Sequence, residues 1–171
     1  MQEIEVKILE VDVNAIRKTL LRLGAKKILD DELNYVILDD KEKNLFKEKK
    51  LFRVRRSNNT AHLCFKNKAK RGKLRESEET EVAVDNYEDT IKILRELGFT
   101  TRHKGEKHRE SYLIEKVRYE LDTIPGIPTF LEIEADNEED LIKGIEKIGF
   151  NLDDATTMTG FDVIEHYRNK K

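Results

Sequence analysis

Apolar residues recur along the chain with two periods, which predict strands and helices respectively. Strict alternation of apolar and polar residues predicts strands with one apolar face. We place about eight such strands, near residues 2–9, 33–39, 51–57, 61–67, 77–84, 106–114, 117–123 and 129–135. Three segments, Glu3 to Gly24, Glu79 to Gly98 and Glu132 to Gly149, follow a strand with a helix and end at a glycine. The pattern therefore mixes one sheet with separate helices.

Each predicted helix has a start signal and one apolar stripe. The predicted N-caps are Asp12, Asp85 and Asp136, and Glu88 and Glu139 occupy the positions of a capping box. The stripes comprise Ile16, Leu20, Leu21 and Leu23, then Ile91, Leu94 and Leu97, then Leu141, Ile145 and Ile148. Each helix should therefore bury one face.

The remaining segments predict turns, a connector and a last helix. Asn58-Asn59 and Pro125-Gly126 suit tight turns, so the strands on either side should be antiparallel. Lys-rich residues 41–50 predict a solvated connector, and residues 156–171 predict a short helix around Phe161 to Tyr167.

Composition limits the classes of function. The 171 residues suit a single domain over 1–171, of which 37% are hydrophobic and 40% charged. Because 35 acids nearly balance 33 bases, we do not expect a general nucleic-acid coat, and a polyanion would need a local basic site. One cysteine, Cys64, excludes an internal disulfide and a cysteine-rich zinc site. No apolar run approaches the ~20 residues of a membrane span, and a cytoplasmic protein is the default expectation.

Charged residues are sorted onto one face of each predicted strand. Glu3, Glu5 and Lys7 share one side of the first strand, opposite Ile4 and Val6. The same sorting recurs at Arg53/Arg55, at His62/Cys64/Lys66, at Glu79/Glu81, at Arg118/Glu120/Asp122 and at Glu132/Glu134. One interpretation is an ordinary solvated face. The other is that the strands close into a barrel, because about eight strands are enough, and that the charges line its lumen.

A charged lumen would suit a phosphate chain and a metal. The bases Arg53, Arg55, Lys66, Lys107 and Arg109 could neutralise phosphates. Carboxylates beside phosphates would repel them, which argues for an intervening divalent cation, Mg or Mn.

The Glu-x-Glu-x-Lys pattern of residues 3–7 resembles the signature of the CYTH superfamily, the triphosphate tunnel metalloenzymes. The resemblance continues through 51–55, 64–66, Arg75, 79–81, 107–109, 120–122 and 132–134, and so covers essentially the whole chain. It implies an α+β fold with a closed antiparallel eight-stranded β-barrel, a charged interior and helices packed outside. It also implies divalent-metal-dependent attack on a small-molecule triphosphate.

The resemblance further implies roles for individual residues. The expected metal ligands are Glu3, Glu5, Asp122, Glu132 and Glu134. The expected triphosphate ligands are Lys7, Arg53, Arg55, Lys66, Arg75, Lys107 and Arg109, and the candidate catalytic residues are Glu5, Lys7, Arg55, Lys66 and Asp122. His62 and Cys64 are expected only to line the lumen, and His103 and His108 to lie at the surface.

Three functions remain open. The chain looks most similar to class IV adenylyl cyclases and their archaeal relatives, although Tyr35 and Asp39 match the cyclase second strand only loosely. The alternative is a triphosphatase for thiamine triphosphate, inorganic tripolyphosphate or a nucleoside triphosphate. The third is a non-catalytic triphosphate or polyphosphate sensor. The sequence leaves a homodimer open and implies no nucleic-acid or membrane partner.

Overall fold

The computed structural model describes residues 2–58, 60–67 and 70–170, with only the backbone considered at Lys70 and Arg71. Its strands are β1 Gln2–Ile8, β2 Lys26–Asp39, β3 Leu51–Ser57, β4 Thr60–Lys66, β5 Lys70–Arg71, β6 Arg75–Val84, β7 Thr100–Ile114, β8 Val117–Thr123 and β9 Phe130–Ala135. Its helices are α1 Val13–Arg22, α2 Asn44–Lys47, α3 Tyr87–Glu96, α4 Glu138–Lys147 and α5 Gly160–Arg168, with a 3₁₀ turn at Leu152–Asp154.

The strands form a closed ring. They pair in the order β1, β9, β8, β7, β2, β3, β4, β6, β5, and β1 also pairs with β6. That additional pairing closes an eight-stranded antiparallel β-barrel with the helices outside. The short β5 pairs with β6 and is not one of these eight strands. The predicted α+β class and barrel are confirmed.

Two strands are longer than the alternation predicted. β2 begins at Lys26 rather than near residue 33, and β7 begins at Thr100 rather than near 106. The added residues are mostly exposed and polar, so they carry no apolar alternation that would reveal a strand.

Two of the three predicted N-caps are wrong by one residue. Asp12 caps α1, with its side chain accepting from the Ala15 amide at 3.0 Å. The caps of α3 and α4 are instead Asn86 and Asn137, whose side chains accept from the amides three residues on. The predictions at Asp85 and Asp136 fail because the adjacent asparagine is equally able to cap a first turn.

The predicted capping boxes are also wrong. Glu88 and Glu139 are the second residues of α3 and α4, because the caps lie one position later than predicted. The third residues, which a capping box requires to carry the reciprocal side chain, are Asp89 and Asp140.

The helix ends follow the prediction, whereas the apolar stripes do so only in part. Gly24, Gly98 and Gly149 have φ values of +78°, +97° and +90°, the left-handed conformation that favours glycine at a helix end. Ile16 and Leu20 are buried on α1, and Ile91 and Leu94 on α3, but Leu21 and Leu97 are 61% and 71% exposed. These two leucines therefore lie beyond the buried face of their helices.

The predicted connector contains a short helix. Asp39 is buried at the end of β2, and its two carboxylate oxygens accept from the amides of Leu45 and Phe46. These bonds hold the first turn of α2, whose side chains remain outside the core. The helix predicted near the C-terminus is present as α5, which buries Val163 and Tyr167 against Phe130.

The turn predictions differ in outcome. β8 and β9 are antiparallel across Gly126, whose φ is +86°. β3 and β4 are antiparallel as predicted, but Asn59 lies outside the described residues. Within those residues, no helix combines the length and apolar character that crossing a membrane would require.

The residues form two compact units. The first comprises 31–70 and 77–107, and its core joins Val36, Leu38 and Val54 to Ile91 and Leu94 of α3. The second comprises 2–30, 71–76 and 108–170, and its core packs α1 and α4 against the apolar faces of β1, β8 and β9. On β1 and β3 alternation places Glu5, Lys7, Arg53 and Arg55 on the face away from the helices, whereas Arg56 faces α3 and pairs with its Glu88.

Candidate active site

A buried lysine lies between carboxylates in the second unit. Ile4, Val6 and Ile8 of β1 enter the core, so Glu5 and Lys7 lie on the opposite face, yet both are buried. Lys7 Nζ lies 2.8 Å from Glu5 Oε1 and 2.6 Å from Glu132 Oε2. Burial disfavours the charged amine, but Glu132 and Glu5 outweigh that cost and raise the pKa of Lys7. Lys7 is therefore a fixed cation.

Arg109 occupies the middle of a second set of carboxylates. Its Nε and Nη2 atoms donate to the two oxygens of Asp122 at 2.6 and 2.5 Å, a bidentate pair that follows from the direct register of β7 and β8. It also pairs with Glu120, and with Glu132 at 3.1 Å. Burial opposes the guanidinium charge, but Asp122 and Glu132 raise the pKa of Arg109.

Three carboxylates of the second unit could hold a metal ion. Glu120, Glu132 and Glu134 each offer an oxygen, and these oxygens lie within 4.8 Å of one another. An all-oxygen donor set of this kind suits Mg or Mn. We call Glu5, Glu120, Asp122, Glu132 and Glu134 the acidic cluster.

The acidic cluster corresponds only in part to the predicted metal ligands. Glu132 and Glu134 belong to the group that could hold a metal, whereas Glu5 is paired with Lys7 and with Arg75. Asp122 is held by Arg109, and Glu3 is half-buried on the same side of β1 as Glu5. The prediction did not include Glu120, although its alternation with Asp122 was the signal that could have identified it.

The first unit carries the other predicted phosphate ligands on one face of β3 and β4. Arg53 lies opposite Cys64, and Arg55 opposite His62, in the register of these strands. Two acids of β6 partner this face: Glu81 lies 2.9 Å from Arg55 and 3.1 Å from His62 Nδ1, and Glu79 lies 2.6 Å from Lys66 Nζ. We call Arg53, Arg55 and Lys66 the basic face.

Arg53 differs from its neighbours on the basic face. It is half-buried, yet its guanidinium forms no ion pair within the described parts of the chain, and its Nε is buried without a hydrogen-bond partner. Its Nη2 atom lies 3.9 Å from the Cys64 sulfur. Arg53 therefore retains donors for an anionic ligand.

Cys64, expected only to line the lumen, is a buried free cysteine. Its thiol donates to Glu79 at 3.2 Å, and burial raises the pKa of Cys64 to about 11. A thiol with such a pKa is a poor nucleophile at neutral pH. Cys64, Glu79 and Glu81 also place three potential ligand atoms within 4.8 Å of one another.

Two further predicted ligands, Arg75 and Lys107, lie on β6 and β7. Arg75, at the start of β6, pairs with Glu5 in the second unit. Lys107 is half-buried in β7, two residues before Arg109 and therefore on the same face of that strand. Of the histidines expected at the surface, His108 lies 3.0 Å from Asp30, and His103 lies beside the ring of Tyr35.

The chain is similar to known proteins over most of its length. A profile described as the CYTH domain matches residues 1–157. A Methanocaldococcus jannaschii protein, provisionally named an adenylate cyclase, is 25% identical over 146 residues, which cover 83% of each chain.

Solved structures extend the likeness. A Pyrococcus horikoshii protein is 26% identical, with a TM-score of 0.78 over 94% of this chain and 98% of that one. A Hippeastrum protein, described as a candidate adenylyl cyclase with a dominant triphosphatase activity, shares the fold at 19% identity, with a TM-score of 0.70 over 99% and 96% of the two chains.

Proposed function

Because the chain belongs to the CYTH domain family, we propose that it is a divalent-metal-dependent enzyme acting on a triphosphate substrate. The leading reaction is that of a class IV adenylyl cyclase. In this reaction the ribose 3′-hydroxyl of ATP attacks the α-phosphorus, the new phosphodiester closes cyclic AMP, and pyrophosphate leaves. The provisional name of the Methanocaldococcus relative supports this choice of reaction.

Arg53 is the observation that carries the proposal. A half-buried guanidinium that forms no ion pair with the described residues, and whose Nε has no hydrogen-bond partner, can bind a ligand that supplies negative charge. Its neighbours Arg55 and Lys66 provide two more cations on the same face. Arginine donors match phosphate oxygens in pairs, so a phosphate chain is the ligand that this face fits best.

The acidic cluster fits the divalent metal that the family implies. Glu120, Glu132 and Glu134 would hold the ion, since their oxygens are close enough to share one. A bound Mg or Mn ion would offset negative charge on the phosphates and stabilise the charge that develops during phosphoryl transfer.

The raised pKa values restrict which residues transfer protons. Lys7 and Arg109 are buried among carboxylates that keep both protonated at neutral pH. In our proposal they act as fixed positive charges that orient Glu132 and Asp122, and neither serves as a general base. Arg55 and Lys66 would bind phosphate oxygens after exchanging Glu81 and Glu79 for the substrate.

Hydrolysis is the second candidate reaction. Water attack on the terminal phosphorus is a phosphoryl transfer that needs the same kinds of phosphate and metal ligands, and it would release orthophosphate. The dominant triphosphatase activity described for the Hippeastrum protein favours testing it. A sensor that binds triphosphates without turnover is the non-catalytic alternative.

Product analysis separates these functions. The protein is incubated with ATP, thiamine triphosphate or tripolyphosphate, each with Mg, with Mn and with EDTA. Cyclic AMP with pyrophosphate supports the cyclase, and orthophosphate supports the triphosphatase. Saturable binding without any product supports the sensor, and absence of both binding and turnover would refute the proposal. Activity that persists in EDTA would refute the metal requirement.

A further inference from the structure

An apolar strip adjoins the basic face of the first unit. Three alternate residues of β2, Leu33, Tyr35 and Ile37, lie directly opposite Ser57, Arg55 and Arg53 of β3. Directly paired residues of antiparallel strands share one face, so this strip lies on the same side of the sheet as the two arginines. The other side of β2 carries Val36 and Leu38, which pack under α3.

The strip is buried but does not belong to the helix-facing core. Leu33 and Ile37 are 2% and 3% exposed, yet neither takes part in the apolar clusters formed by the described residues. A face built for phosphates alone gains nothing from two buried aliphatic side chains and a tyrosine beside its arginines.

Gly105 accounts for the position of the Tyr35 ring. A Cβ atom at residue 105 would lie 2.9 Å from Tyr35 Cε2 and closer still to Cζ and to the hydroxyl oxygen. The ring therefore lies against the backbone of β7 at a residue that has no side chain to displace it. The His103 ring, two residues earlier on β7, lies 6.0 Å from it between centroids, at 38°.

We propose that Tyr35, backed by Gly105 and flanked by Leu33 and Ile37, is a stacking platform for an aromatic ring attached to the triphosphate. The inference rests on the proposed function, since it places the organic part of the substrate beside phosphates held by Arg53 and Arg55. It assigns the substrate to aromatic triphosphates, either a nucleoside triphosphate or thiamine triphosphate, and not to inorganic tripolyphosphate. A flat ring half-buried beside a cationic face suits such a ring, because stacking requires no particular hydrogen-bond pattern.

Equilibrium binding tests the platform independently of catalysis. The affinities of ATP, thiamine triphosphate and tripolyphosphate are measured by calorimetry. Ca²⁺ replaces Mg to separate binding from catalysis, because it binds carboxylates but lacks the strict octahedral geometry of Mg. The proteins are the wild type, Tyr35→Phe and Tyr35→Leu, with Tyr87→Leu as a matched control. Tyr87 belongs to the same unit but packs beside Arg56 on the helix-bearing side of the sheet.

The expected pattern is selective. Tyr35→Leu should weaken the preferred aromatic triphosphate roughly tenfold, with tripolyphosphate changed by less than about twofold, as for the loss of one stacked ring. Tyr35→Phe and Tyr87→Leu should preserve the wild-type ratio of the two affinities. Whichever of ATP and thiamine triphosphate loses more affinity identifies the ring.

Two results would overturn the inference, and each is distinct from failure of the proposed function. One is wild-type affinity for tripolyphosphate equal to that for both aromatic triphosphates. The other is an unchanged affinity ratio in a folded Tyr35→Leu protein, which would leave Tyr35 only as packing over Gly105. If the wild type binds none of the three compounds, the proposed function itself fails together with the platform.

Discussion

Lys7 and Glu132 lie directly opposite each other in the β1–β9 pair, with the lysine Nζ 2.6 Å from a glutamate oxygen. The lysine side chain is 3% exposed, so water does little to screen this ion pair. A residue from the first strand and one from the last strand thus form one electrostatic unit. Removing either charge leaves the other buried without compensation.

We predict that replacing Lys7 with Met destabilises the protein in a metal-dependent way. In EDTA the loss of unfolding free energy should be about 3 kcal/mol, because Glu5 and Glu132 are left buried and unpaired. A divalent ion bound to the acidic cluster would replace part of the missing positive charge. Urea unfolding with EDTA and with Mg or Mn measures the difference.

The matched control for Lys7 is Lys143→Met on the exposed side of α4, where the lysine pairs with Glu139. This change should leave stability the same with and without metal. If Lys7→Met loses equal stability in EDTA and in saturating Mg and Mn, the metal does not share the Lys7 environment.

We predict that Arg55→Ala abolishes most turnover whereas Arg56→Ala does not. These adjacent arginines point to opposite sides of β3: Arg55 pairs with Glu81 on the basic face, and Arg56 pairs with Glu88 of α3. Loss of a phosphate ligand should lower kcat/KM by about 100-fold or more. Steady-state kinetics with the substrate identified by product analysis provide the measurement.

Equal kinetics in the two arginine variants would show that the basic face does not bind substrate.

Glu5→Gln tests the acidic cluster in the same assay, since it keeps the shape of the side chain while removing a charge from β1. Its control is Glu139→Gln on the solvent side of α4. Wild-type turnover in Glu5→Gln would exclude Glu5 from the active site.

Much of the fold could be predicted because its strands carry charge and hydrophobicity on opposite faces. β1 illustrates this, since Ile4 and Val6 lie on its core-facing side and Glu5 and Lys7 lie on the opposite side. The early part of β2 could not be predicted in the same way. Lys26 to Glu32 has only two apolar residues, Ile28 and Leu29, and because they are adjacent they give no alternating apolar pattern, so the pairing of this part of β2 depends on the neighbouring β7.

The sequence could predict which face of its strand each candidate site residue occupies, but not which residue it pairs with. Alternation placed Arg109, Asp122 and Glu132 on the faces that they occupy, because it requires only a period of two. It could not show that Arg109 would pair with Asp122, since strand register depends on the whole sheet. The stacking platform could not be predicted, because the sequence does not show that the Tyr35 ring of β2 lies against Gly105 of β7.

We predict that the ionised Glu110 side chain stabilises the fold and that this stabilisation is lost in acid. It is 4% exposed on β7, accepts from Arg17 at 3.0 Å and lies 3.0 Å from Lys27 Nζ. Burial disfavours its charge, but Arg17, Lys27 and Tyr112 overcome this and lower the pKa of Glu110 to about 2. A lowered pKa stabilises the fold above the unfolded value near 4.3, and this contribution is lost as the pH falls towards 2.

Comparison of the wild type with Glu110→Gln isolates that contribution. After allowance for screening at the partly exposed Arg17 and Lys27, the ionised carboxylate should contribute about 1–2 kcal/mol at pH 7. Urea unfolding between pH 7 and pH 2 should show the two proteins converging below about pH 4. A constant difference across that range would mean that Glu110 contributes packing and not charge.

Gly144 of α4 permits a close helix–strand contact, and we predict that Gly144→Ala is destabilising despite the higher helix propensity of alanine. An added Cβ would lie 2.7 Å from Val117 Cγ1 and 3.1 Å from the Tyr119 hydroxyl, which donates to the Gly144 carbonyl at 3.0 Å. Overpacking costs about 1–3 kcal/mol and outweighs a propensity gain of about 1 kcal/mol. At Gly160 of α5 an added Cβ meets nothing within 4 Å, so Gly160→Ala should retain or raise the melting temperature. The melting temperatures of both variants, measured by thermal unfolding, test this prediction. A Gly144→Ala protein as stable as Gly160→Ala would mean that α4 can move away from β8 at no cost.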